Sequence, residues 1–124
     1  MLYVLPETAG DILVVQATGT LSSEDYQDTF IPLLTEKIES HGAVRVLLYL
    51  DHGFTGFEAG ALWQDVTFGL KHREDFLRIA VVGDQQWIDW ITRVGTACIS
   101  GESRHFTASQ FLQALHWIDG SNEV

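Results

Sequence analysis

One stretch constrains the fold more than any other. Residues 44–50, VRVLLYL, are apolar except for Arg45 and end in Asp51-His52-Gly53. A run that offers apolar side chains to both faces marks a strand covered on both sides. It is therefore expected at the centre of a sheet. The next stretch, Gly53 to Gly60, is rich in glycine and aromatic residues and reads as a loop. A helix is expected from about Phe57 to His72.

The flanking segments follow from turn and cap signals. Leu2–Leu5 and Asp11–Thr18 read as two short strands around Ala9-Gly10, an antiparallel hairpin that Gly19 ends. Ser22 with Asp25 resembles a capping box opening a helix. In that helix Tyr26, Phe30, Leu34 and Ile38 recur at helical spacing. Pro32 lies inside the pattern, so a kink or break is expected between Asp28 and Pro32. Gly42 ends the helix. Leu77–Gly83 is a fourth strand. Asp84 opens a helix with Trp87, Trp90, Ile91 and Val94 on one face. Arg104–Phe106 is a fifth strand, and Thr107 with Gln110 caps a last helix carrying Phe111, Ala114, Leu115 and Ile118 inward.

The order ββαβαβαβα predicts an α/β fold. Its five-stranded mixed sheet is mostly parallel, with one antiparallel pair and helices on both faces. At 124 residues the chain is expected to form one domain, 1–124. A chain of this size buries roughly two-thirds of its unfolded surface.

Charge and composition narrow the function classes. The formal net charge is −10, which opposes binding to a phosphate backbone or an anionic membrane. No nucleic-acid partner and no integral membrane segment are expected. Cys98 is the only cysteine, which suits a reducing compartment and a cytoplasmic protein. The histidines and Cys98 show no metal-ligand spacing, and no cofactor motif is present: there is no CxxC, HExxH, GxGxxG or P-loop lysine. His105 is read as an interior histidine. Asp51 and His52 are the one adjacent acid–base pair at a strand end. Neighbouring strand residues point to opposite faces, which argues against a catalytic pair. No catalytic residue is assigned.

The aromatic residues are the stronger signal. Four Trp and seven Phe are many for one small core. On the helix expected after residue 57, Phe57, Ala61 and Phe68 fall opposite the core stripe of Ala59, Leu62, Trp63, Val66 and Leu70. This second stripe is expected to be exposed. With Phe54, Glu58, Asp65 and Trp87 it forms a candidate surface for a protein partner, a small apolar ligand or a second copy of the chain.

Five segments carry a family resemblance. They are GTLSSEDY from Gly19, RVLLYLD from Arg45, GFxxGALWxD from Gly56, RIAVVGD from Arg78 and HFxxxxFxxALxWI from His105. The chain resembles the SpoIIAA-like, or STAS-like, proteins over nearly its whole length. It looks closest to the small stand-alone branch. That fold is shared by anti-sigma factor antagonists and is related to CRAL-TRIO lipid-binding domains. The resemblance implies a non-enzymatic regulatory or binding module, with a lipid or small-hydrophobe carrier as the alternative. One departure stands out. The antagonists carry a phosphorylatable serine in an Asp-Ser-Ser-Gly turn after the third strand. The corresponding turn here is Phe57-Glu58-Ala59-Gly60, without a hydroxyl.

Overall fold

The computed structural model describes residues 1–58, 60, 67, 68, 71–84 and 101–120. Five strands form one sheet: β1 (Leu2–Val4), β2 (Ile12–Leu21), β3 (Val44–Phe57), β4 (Phe76–Val82) and β5 (Glu102–Phe106). They lie in the order β1-β2-β3-β4-β5, so β3 is central. β1 runs antiparallel to β2, and the other neighbours are parallel. The mixed sheet and its antiparallel first pair agree with the expectation from the sequence.

Alternation along the strands divides the apolar side chains between two faces. Leu13, Val15, Val46, Leu48, Leu50 and Val81 belong to one cluster, together with Tyr26, Phe30 and Leu34 of the first helical segment. Val14, Leu47, Ala80 and Val82 belong to the other, packed under Ala114, Trp117 and Ile118 of the last helix. The chain steps across the sheet in one direction. The right-handed crossover from β2 to β3 therefore places the first helical segment on one face. The helix after β5 is free of that constraint and covers the opposite face. This is why residues 44–50 are apolar on both sides.

The first helical segment runs without a gap through α1 (Ser23–Asp25), a π-helical turn (Tyr26–Phe30) and α2 (Ile31–His41). The Ser22–Asp25 capping box forms, and Gly42 ends α2 with φ +78°. Pro32 does not end the helix, but the α-helical ladder is interrupted just before it, by the π turn at Tyr26–Phe30. The backbone widens there, and the N–H of Ile31 donates to the carbonyl of Tyr26 five residues back. Pro32 then falls in the first turn of α2, where its missing N–H does least harm.

The last helix, α3 (Phe111–Asp119), follows a short 3₁₀ turn, Ala108–Gln110, with the expected Thr107–Gln110 capping box. Its last carbonyls meet two arginines. Arg45 Nη1 donates to Ile118 O (3.0 Å), and Arg78 Nη1 donates to Trp117 O (2.6 Å). Arg45 also pairs with both oxygens of Asp11, at 3.0 and 3.1 Å. The one charge in the apolar run 44–50 thus joins β2, β3 and the end of α3, where a cation suits the helix dipole.

The strand ends depart from the sequence reading. β2 does not stop at Gly19. That residue takes φ +63° and forms an irregularity, after which Thr20 and Leu21 continue the ladder. β3 continues beyond Asp51 to Phe57. The expected loop from Gly53 is therefore strand for its first half, and the helix that follows begins after Phe57. The expected helix carrying Trp87, Trp90, Ile91 and Val94 lies outside the described residues, as does Cys98.

Candidate functional site

β3 pairs with β4 only from Val44 to Tyr49, but with β2 as far as Leu21 opposite Phe57. The last residues of β2 and β3 therefore form a two-stranded ribbon that outruns β4 at the carboxyl ends of the strands. In open α/β sheets that end is where ligands bind.

The ribbon's apolar side chains point inward. Phe54 is buried and meets Phe57 edge-on at 5.2 Å between ring centroids. Phe57 lies 6.4 Å from Tyr26, which stands edge-on to Phe30 at 5.3 Å. Phe68 is half-buried against the same core, 6.1 Å from Phe76 and 4.4 Å from the His72 ring. His72 Nδ1 in turn lies 2.9 Å from Asp75.

These contacts correct the expected exposed stripe. Phe57 is a strand residue, so the helical phase of 100° per residue does not reach it. Phe68 is helical but faces Phe76 and the core. Substituting Phe68 would therefore also alter the protein's own core. Ala61, Asp65 and Trp87, together with Trp63, lie outside the described residues.

The ribbon's outward side chains are polar. Thr20, His52, Thr55 and Glu58 are all exposed. Thr20 Oγ1 and Thr55 Oγ1 hydrogen-bond across the two strands at 2.9 Å. Glu58 is tied on both sides of its residue. Its N–H donates to Leu21 O (2.9 Å), and its Oε1 accepts from the N–H of Ser23 (3.0 Å). Its carboxylate thus satisfies an amide at the start of α1, beside the Ser22–Asp25 box. Sequence patterning does not single out Thr20 or Ser23. The signal for Thr20 is Gly19, which acts as a left-handed bulge residue within a continuing strand.

Asp51 plays a structural part. Oδ2 accepts from Gln16 Nε2 (2.8 Å), and Oδ1 accepts from the N–H of Gly53 (2.9 Å). Partial burial disfavours the charged form and raises the pKa of its carboxyl. Hydrogen bonds from Gln16, Thr18 and Gly53, with the charge of His52, outweigh that and hold it below the usual aspartate value. A carboxylate favoured by the fold stabilises it above the ordinary value and loses that effect as pH falls through the lowered one. Asp51→Asn is therefore expected to be less stable than the parent near neutral pH. The gap should close as pH falls through and below the ordinary aspartate range. Urea titrations of both proteins across that range check it, and a gap independent of pH would contradict the assignment.

His52 is exposed while Asp51 is engaged with Gln16 and Gly53, so the adjacent pair forms no acid–base couple. His105, expected in the interior, is exposed, while its neighbour Phe106 is the buried residue of β5. Among the described residues, no three His, Cys, Asp or Glu side chains gather as a metal site requires. Among the same residues no helix is long and apolar enough to cross a membrane.

Comparison with known proteins agrees with this architecture. Residues 12–119 match the SpoIIAA-like family model. A crystal structure of an uncharacterized protein with a SpoIIAA-like fold, from Shewanella loihica PV-4, superposes with a TM-score of 0.73 at 29% sequence identity. The superposition covers 94% of this chain and 93% of that one. No curated protein matches the chain.

Proposed function

The chain belongs to the SpoIIAA-like family, and from that premise we propose that it is a non-catalytic binding module. Its recognition surface is the outer rim of the β2–β3 ribbon together with the turn at Glu58. The observation that carries this reading is the division of side chains on the ribbon. Phe54 and Phe57 face the core and brace the turn, while Thr20, His52, Thr55 and Glu58 face outward. A braced backbone presenting polar groups suits recognition, because little order has to be gained on binding. The non-catalytic part rests on Asp51, whose two oxygens are both engaged in holding the strand end.

The partner class is a protein with a basic contact surface. The formal charge of −10 disfavours acidic partners and speeds encounter with basic ones. Ala61, Asp65 and Trp87 are assigned to the same surface from the sequence alone. Phe54, Phe57 and Phe68 serve it from beneath, by fixing the backbone on which the rim is mounted.

The test compares the immobilised parent with a rim variant, Thr20→Lys/Thr55→Lys/Glu58→Lys, in capture of proteins from an extract of the source cell. A partner held by the parent should fall about tenfold with the variant, as the loss of a few interface contacts implies. Equal capture by both proteins would remove the rim from the function. Native mass spectrometry of the parent runs alongside, and a stoichiometric small apolar molecule would favour the carrier alternative.

A further inference from the structure

The backbone at Glu58 is fastened to the end of β2 and to the first helical segment. Five contacts converge there. Leu21 pairs with Phe57, and the N–H of Glu58 donates to Leu21 O. The Glu58 carboxylate accepts from the N–H of Ser23, and the Phe57 ring lies against Tyr26. Gly60 approaches Ser23 so closely that a Cβ there would lie 2.2 Å from Ser23 Oγ. Tyr26 is also the first residue of the π turn, and its carbonyl accepts the π-type bond from Ile31.

A π turn is rare and relaxes toward α-helix unless its surroundings hold it. Here the rear end is fixed by Pro32, which cannot donate to the preceding turn. The front end is fixed by Ser22, Asp25 and Glu58. We propose that Glu58 is a strap that holds the π register of residues 26–30. Pulling on the turn, as a bound partner would, then changes the helix geometry at Ile31. This rests on the reading of the turn as the recognition surface. The strap itself is testable without any partner.

The measurement is residue-resolved amide hydrogen exchange by NMR on the full chain. Glu58→Ala should speed exchange about fivefold, the scale of one modest hydrogen bond. The effect should appear at Ser23 and also at Ile31, two turns along the helix. Thr55→Ala, on the same rim but bonded to Thr20, should leave both amides unchanged. Glu58→Gln, which keeps an acceptor oxygen, should restore most of the protection at Ile31. Faster exchange confined to Ser23, with Ile31 as in the parent, would overturn the strap. So would equal loss of protection at Ile31 in Thr55→Ala. If Ile31 responds but the rim variant still captures every partner, the strap stands and the recognition surface lies elsewhere. If Ile31 is silent while capture is lost, the reverse holds.

Discussion

Gly101→Ala should unfold the protein or lower its stability by more than about 3 kcal/mol. Gly101 leads the chain into β5 beside the start of β4. A Cβ at this position would lie 2.3 Å from Phe76 O and 2.5 Å from Leu77 O. Both are backbone atoms of a strand paired on either side, so neither can swing away as a side-chain tip does. Arg78, next in β4, is fixed opposite Glu102 and donates to the end of α3. Shifting the β4 backbone to admit a methyl group therefore disturbs β5 and α3 together. The constraint is steric and comes from the close approach of two backbones. Urea denaturation followed by tryptophan fluorescence measures the effect. A midpoint equal to that of the parent would mean that the two strands do not approach as described.

The sheet's centre and its first and last helices were legible in the sequence because their signals are local. The apolar run at 44–50, the Ser22 and Thr107 boxes and the helix stop at Gly42 each depend on residues within one turn of one another. The ribbon was not legible, because it depends on pairing across more than thirty residues. Gly53 and Gly56 read as loop residues by composition, yet β3 passes through both and meets Thr20 and Leu21. The extension of β2 was hidden by Gly19, whose bulge looks in sequence like a stop. The error then spread to the site. With Phe57 assigned to a helix, its phase placed it outside, and Phe68 was placed with it. In the structure both rings face the core. Asp51 caps the strand end by accepting from its own backbone two residues on, a role that suits its short side chain. The turn's lack of serine was visible directly. That Glu58 reaches across to Ser23 was not, because the bond spans 35 residues.

Leu47→Ala should cost about 3–4 kcal/mol, within the range for a large apolar side chain truncated in a core. Leu47 is fully buried at the middle of the central strand. Val14 flanks it on β2 and Ala80 on β4, and α3 lies above with Ala114, Trp117 and Ile118. Collapse into the space is opposed on each side. Val14 and Ala80 are held by ladder hydrogen bonds, and Ala80 is too small to reach across. α3 is anchored at its C-terminal end by Arg45 and Arg78, which limits its descent toward the sheet. The cavity should therefore persist, and persistence is what carries the cost beyond simple transfer of the lost methyl groups. Leu112→Ala is the matched control. Leu112 lies on the same helix but is 70% exposed, so its truncation should change stability by less than about 0.5 kcal/mol. Chemical denaturation of the three proteins in parallel decides the matter. A Leu47→Ala loss below about 1 kcal/mol would show that α3 settles into the gap despite its two arginine anchors.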